Sequence, residues 1–317
     1  MNIVFCTDKR YIIPCGVMMT SLCENNKDEN VSFYCIVDEN VDQTDKIKLE
    51  KIALKYGHHI DFLKFNSPQL DSLPIKDKVR YTKSVYYRLF FAEIFPKNTT
   101  KILFLDGDII INQSLHDLWN TNLDGYALGA IPDMTDGNME YYNRLKYSSH
   151  DGYFNGGVLL INLDYWRNNN VQNRFLEFCE KYPKRIVWND QDVMNYILRK
   201  EKLNLHLKYN VQHGFFWKNN MNFEWNKFGN QFYDAINNPV IIHYNCIKPW
   251  IKKCDNPYKD LFTKYKNLTE WKDVTIDYRA KKTKIKDTLR DFVNNVLIFL
   301  KIKKPTKTVL FEIKQNS

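Results

Sequence analysis

No Cys-x-x-Cys pair occurs in this chain of 317 residues. Its seven cysteines stand singly at 6, 15, 23, 35, 179, 246 and 254. An odd number of isolated thiols argues against a disulfide framework or a cysteine-rich zinc site, and suits a reduced, cytoplasmic compartment. No run approaches the roughly 18 apolar residues that a membrane span needs. The first eight residues lack the basic, apolar and cleavage regions of a signal peptide and look instead like a first strand. The sequons at Asn98, Asn112 and Asn267 therefore carry little weight. Internal repeats and low-complexity tracts are missing beyond a general richness in Lys and Asn, which excludes solenoids and linker-like chains.

What is present is a large apolar and aromatic complement, 44% and 15% of the chain. That excludes disorder and implies a folded, enzyme-like body. The net charge is +9, unevenly placed. Residues 279–307 hold ten basic residues against Asp287 and Asp291, a local charge of +8. The body, residues 1–278, is expected to be one domain, and 279–317 a separate tail. Within the tail, Ile285, Leu289, Phe292, Val293, Val296 and Leu300 fall on one helical face. A basic amphipathic helix suits an anionic membrane surface. A helix packed on the body is the plainer alternative. No nucleic-acid-binding motif accompanies the charge, so nucleic acid is not an expected partner.

Strand-like and helix-like stretches alternate through the body. Strands are expected at 3–6, 32–37, 59–63, 102–105, 126–131, 157–162 and 240–243. Helices are expected at 12–25, 43–57, 84–95, 172–182 and 191–200. The alternation implies an α/β fold with a single, mostly parallel sheet covered by helices on both faces. Ligands then gather at the carboxyl ends of the strands. The aromatic stretch after 208 is expected to form a lid or loop layer over the sheet, with a few residues serving an acceptor.

The most informative motif is Ile-Leu-Phe-Leu-Asp106-Gly-Asp108. Side chains two apart on a strand share a face, so both carboxylates can reach one hard cation that bridges phosphate oxygens. Gly107 is expected to stay bare for the approach of a bulky ligand. Asp-Gly is also an ordinary turn. His243 follows another apolar run, and two carboxylates with one imidazole suit Mn²⁺. Lys248 can neutralise a diphosphate. Asp190 and Gln191 open a helix-like stretch, where they either cap it or face a sugar. Asn155 stands at a Gly-Gly turn and can bind hydroxyls. Asp8 and Tyr11 follow the first strand and can hold a nucleobase. Arg88 is a buried ion-pair partner or a contact to a diphosphate or sugar.

Taken in order, Ile-Val-Phe-Cys-Thr-Asp, Tyr-Tyr-Arg-Leu, Ile-Leu-Phe-Leu-Asp-Gly-Asp, Phe-Asn-Gly-Gly-Val-Leu-Leu-Ile-Asn-Leu, Asn-Asp-Gln-Asp and His-Tyr-Asn-Cys-Ile-Lys-Pro-Trp resemble glycosyltransferase family 8. The likeness is to the bacterial enzymes that add galactose or glucose to lipopolysaccharide or lipooligosaccharide cores, and more distantly to glycogenin. It runs from Ile3 to about Trp250. It implies a GT-A fold, a UDP-hexose donor, Mn²⁺ or Mg²⁺, retention of anomeric configuration, and a saccharide or lipid-linked saccharide acceptor. The basic tail adds the expectation of a peripheral place on the inner face of the cytoplasmic membrane, which suits a lipid-linked acceptor. Asp106, Asp108 and His243 match the metal ligands. Asp8 and Tyr11 match base and uridine contacts. Arg88, Asn155, Asp190 and Gln191 match donor-sugar contacts, the last two being the expected catalytic pair. Lys248 matches the diphosphate contact, and Asp133 a residue on the sugar and acceptor side. Cys246 replaces a usual glycine, and Arg10 a small polar residue.

Three alternatives stand beside this expectation. A protein or peptide glycan can be the acceptor. A haloacid-dehalogenase-type phosphatase shares Phe-Leu-Asp-Gly-Asp, but Ile110 replaces the Thr or Val its motif expects. A non-catalytic membrane-binding scaffold can keep a transferase fold.

Overall fold

A computed structural model describes residues 1–75, 82–276 and 308–313. The chain opens with β1 (Asn2–Thr7), α1 (Ile12–Asn25), β2 (Ser32–Val37), α2 (Gln43–Lys55) and β3 (His59–Leu63). β4 (Lys101–Leu105), β5 (Ile109–Ile111), β6 (Leu128–Pro132), β7 (Phe154–Asn162), β8 (Lys202–Asn204), β9 (Val211–Gln212) and β10 (Ile241–His243) follow. Seven strands form one sheet in the order β3-β2-β1-β4-β7-β6-β8. Only β7 runs against its neighbours, β4 and β6; the other pairings of this sheet are parallel.

The strands are apolar on both faces because both are covered. Ile3, Phe5, Phe33, Leu103 and Leu105 pack towards α1 and α2. Val4, Ile36, Ile102 and Phe104 pack towards the helices Val171–Lys181 and Asn189–Leu198. Each buried Leu or Phe of this kind contributes about 1.5–3 kcal/mol. The expected two-sided α/β architecture is therefore present.

Two expectations need correction. The run ending at His243 does not join the main sheet. It forms a second sheet, β5-β10-β9, with β10 antiparallel to β5 and parallel to β9. The expected helix over 84–95 is a 3₁₀ helix, Lys83–Phe90, followed by one α turn, Phe91–Ile94. Burial of Tyr86 through Phe91 against the sheet overrides the helical spacing. The aromatic stretch after 208 packs as a loop layer: Phe215, Phe216, Phe223 and Phe232 are buried in one cluster with Phe5, Leu103 and Leu105 of the sheet, and none of the four lines the main cleft.

The basic stretch 279–307, with its expected amphipathic helix, lies outside the described residues. Residues 308–313 are on the body: Val309 O accepts from Lys218 N at 2.8 Å, and Phe311 N donates to Phe216 O at 2.9 Å. The Phe311 ring stands 5.3 Å from Trp225 and 5.2 Å from Phe232. Among the described residues, no helix is long and apolar enough to cross a membrane.

Candidate active site

The two aspartates are delivered by different sheets. Asp106 N donates to Gly157 O at 2.9 Å, extending the β4–β7 ladder by one rung. Asp108 O accepts from Tyr244 N at 3.0 Å, extending the β5–β10 ladder. The chain crosses between sheets at Gly107. A Cβ there would meet Cys15 Sγ at 2.6 Å. Gly107 thus packs closely on α1 while also lining the cleft, where a ligand can approach.

His243, the last residue of β10, pairs in register with Ile109 and closes the cluster. Its Nε2 lies 3.4 Å from Asp108 Oδ1 and 3.8 Å from Asp106 Oδ2. One donor atom from each of the three lies within 4.8 Å of the others. Two hard oxygens and one imidazole nitrogen converging this way fit a divalent cation, Mn²⁺ or Mg²⁺ among them. Gly157 makes room for the cluster: a Cβ there would fall 2.3 Å from His243 Cε1 and 2.8 Å from Asp106 Oδ2.

A cleft of about 400 Å³ surrounds these groups. Asp8, Tyr11, Arg88, Asp133, Asn155, Asp190, Gln191 and Lys248 all line it, so the expected metal, donor and catalytic residues converge here. Lys248 Nζ donates to Asp108 Oδ2, and to Tyr244 O at 2.8 Å. Burial alone would raise the Asp108 carboxyl, but Lys248 and His243 outweigh it and hold it well below the usual carboxylate range. Burial likewise disfavours the Lys248 ammonium, and the charge of Asp108 more than reverses that. Burial raises the Tyr11 hydroxyl to about 12.

Arg88 spans the floor. It donates to Gly156 O at 2.6 Å and to Asp106 Oδ1 at 3.1 Å, and its guanidinium lies 4.2 Å from the Phe104 ring centre. Its Nε is 2.9 Å from Asp190 Oδ2, an ion-pair distance, but off the line of a hydrogen bond. Asp190 is buried in the first turn of Asn189–Leu198. Burial pushes its carboxyl up to about 7, against the pull of Arg88. Asp192, next along the helix, anchors the segment that leads into it. It accepts from Val187 N and Trp188 N, both at 2.7 Å, and pairs with Arg144. Asp190 is left facing the cleft.

Gln191, Asn155 and Asp133 form one hydrogen-bonded group. Gln191 Oε1 accepts from Gly156 N at 2.8 Å, and its Nε2 donates to Asp133 Oδ2 at 3.2 Å. Asn155 Nδ2 donates to the same oxygen at 2.8 Å. Asp8 is engaged by its neighbour: Arg10 N donates to Oδ1 at 2.8 Å, and Arg10 Nε to Oδ2 at 3.0 Å. Cys246 turns towards Met134, its Sγ 3.6 Å from the thioether sulfur.

Some residues escaped the sequence reading. Asn210 and Gln212 are fully buried at the end of the main core and link β9 to the cleft. Gln212 accepts from Met134 N at 2.9 Å and donates to Pro132 O at 2.8 Å. Tyr141 and Trp188 stand together at the mouth, 6.3 Å between ring centres. Only the polar pair inside Lys-Tyr-Asn-Val-Gln-His hinted at the first two.

The model of Glycosyl transferase family 8 matches residues 2–254. The chain belongs to this family. Among family relatives, the lipopolysaccharide glucosyltransferase WaaO of Escherichia coli is 28% identical, over 87% of this chain and 80% of the relative. The lipopolysaccharide 1,3-galactosyltransferase of Salmonella typhimurium is 27% identical, over 85% and 79%. The general stress protein A of Bacillus subtilis is 26% identical, over 86% and 96%. The galactosyltransferase LgtC, solved with donor and acceptor sugar analogues, superposes with a TM-score of 0.74 at 24% identity, over 86% of this chain and 99% of that one. That likeness establishes the GT-A fold. Family membership makes the protein a glycosyltransferase and sets aside the phosphatase alternative.

Proposed function

We propose that this family 8 protein transfers a hexose, galactose or glucose, from a UDP-sugar to a saccharide of a cell-surface glycan, with retention of anomeric configuration. The carrying observation is the Asp106–Asp108–His243 cluster, backed by Lys248 and faced by the Asp190–Gln191 pair in one cleft. The lipopolysaccharide glucosyl- and galactosyltransferases among its relatives support a lipopolysaccharide-type or lipid-linked acceptor.

In this reading Asp106, Asp108 and His243 hold Mn²⁺, or Mg²⁺, which supplies Lewis-acid stabilisation of charge on a diphosphate. Lys248 moves from Asp108 onto the phosphate oxygens and stabilises the negative charge that grows as the sugar–phosphate bond breaks. Arg88, Asn155 and Asp133 orient the sugar. Asp190 and Gln191 stabilise positive character at the anomeric carbon, for which Asp190 must be ionised. The acceptor hydroxyl attacks from the face the phosphate leaves, and that phosphate takes its proton. Asp8 and Tyr11 hold the base and ribose, which requires Arg10 to share or release the Asp8 carboxylate. Residues 279–307 hold the protein on the cytoplasmic face of an anionic membrane through their +8 charge.

Purified protein mixed with a panel of UDP-hexoses and Mn²⁺, with and without EDTA, tests this reading. Metal-dependent UDP release with one or two donors is expected. Failure to turn over any UDP-sugar, with or without saccharide acceptors, would leave a non-catalytic binding role.

A further inference from the structure

The side chain of Asn210 is fully buried between the cation cluster and the sugar side of the cleft. Its Oδ1 lies 3.0 Å from His243 Nδ1, and its Nδ2 donates to Asn155 Oδ1 at 2.9 Å. The direction of this chain is not free. Asn155 Nδ2 donates to the carboxylate of Asp133, which can only accept. Asn155 Oδ1 also takes the backbone N–H of Gly157 at 3.0 Å, a donor that cannot reverse. Asn155 therefore presents an acceptor to Asn210. Asn210 must answer with its amide N–H and turn its oxygen to His243. The imidazole must then carry a proton on Nδ1, which leaves Nε2 facing Asp106 and Asp108. Asp133 is held in turn by Gln191.

We propose that Asn210 is a positioning residue: it fixes His243 as the Nδ1–H tautomer with Nε2 turned to the aspartates, and couples the cation site to the sugar-facing Asn155–Asp133 pair. The claim that the coupling serves catalysis rests on the proposed function; the tautomer does not. Partners that orient a metal-binding histidine typically control affinity by about 10–100-fold.

Two-bond ¹H–¹⁵N spectra of the metal-free full chain, with the His243 signals assigned by their loss in His243→Asn, read the tautomer directly. The wild type is expected to show a proton on Nδ1, the nitrogen facing Asn210. A proton on Nε2 with Nδ1 bare would overturn the proposal. Mn²⁺ binding followed by electron paramagnetic resonance gives a second measure. Asn210→Leu, which removes both contacts, should weaken binding about 10–100-fold. Asn210→Asp keeps an acceptor for His243 but sets oxygen against Asn155 Oδ1. It should hold Mn²⁺ nearly as tightly as wild type while lowering kcat with the UDP-sugar more than it raises KM. Unchanged tautomer and Mn²⁺ affinity in Asn210→Leu would also overturn the proposal. A wild type with the expected tautomer that turns over no UDP-sugar would sink the proposed function and leave this assignment standing.

Discussion

One guanidinium serves two carboxylates in this cleft: Arg88 contacts Asp106 at 3.1 Å and stands 2.9 Å from Asp190. Its side chain is only 11% exposed. It thereby joins the cation cluster to the expected catalytic turn. Removing it would leave buried negative charge without a partner. Arg88→Met is expected to cost about 3–5 kcal/mol in urea unfolding, the usual cost of breaking a buried pair from one side. Arg88→Lys should recover part of the stability, because a point charge cannot span both carboxylates. A stability loss within error in Arg88→Met would refute this role.

Asp190 gives the fold a pH dependence with a definite sign. Burial raises its folded pKa to about 7, well above the ordinary carboxylate range. Its neutral form is therefore favoured in the folded state, and the stability this contributes is lost as pH rises towards 7. Between about pH 5.5 and 8.5, wild type should lose ~2 kcal/mol relative to Asp190→Asn, which cannot titrate. Metal-free protein unfolded in urea across this range provides the check. A constant difference between the two proteins would show that Asp190 does not titrate there.

Metal binding should need all three members of the cluster. Asp106→Asn, Asp108→Asn and His243→Ala are each expected to weaken Mn²⁺ binding at least tenfold and to abolish UDP-sugar turnover. Calorimetric titration with Mn²⁺ reads the first effect and UDP release the second. Wild-type Mn²⁺ affinity in either aspartate variant would remove that residue from the site.

Gly157 sets a steric limit on the same cluster. Its missing Cβ would lie 2.3 Å from His243 Cε1. Gly157→Ala should therefore displace His243 and lower Mn²⁺ affinity with little loss of helix content. At Gly156, a Cβ would come no closer than 3.4 Å to the Arg88 and Met194 side chains. Gly156→Ala should be the milder change. Equal Mn²⁺ affinity in both variants would count against this ordering.

The membrane role proposed for 279–307 is best tested by charge, not by truncation. Cutting the chain at 279 would also remove Phe311 from its aromatic partners. Replacing the basic residues of 279–307 with Gln should abolish binding to anionic vesicles in sedimentation assays and leave UDP-sugar turnover intact. Undiminished sedimentation of that variant would exclude electrostatic attachment through this stretch.

Much of the fold was legible because strands covered on both faces must be apolar throughout. β2 and β3 match the expected ranges, and α1 does too. The 3₁₀ path of Lys83–Phe90 was not legible, because an apolar period near three to four suits either helix until the sheet selects one. The second sheet was hidden because a three-residue strand such as β10 carries no mark of its partner. Asn210 and Gln212 were missed because a buried amide looks like any loop amide until its partners surround it.

The chemical inventory was determined by the sequence alone: two aspartates around a glycine, a histidine and lysine after an apolar run, and an Asn-Asp-Gln-Asp turn. Residue types and their local spacing define which donors exist and which strand ends carry them. Only the tertiary structure decided how they meet. It sets Asp106 and Asp108 at the edges of separate sheets, pairs Asp192 with Arg144 and leaves the cleft to Asp190, and sets the direction of the Asn155–Asn210–His243 chain. Those outcomes depend on burial and on long-range hydrogen bonds, whose partners lie tens of residues apart and leave no local trace in the sequence.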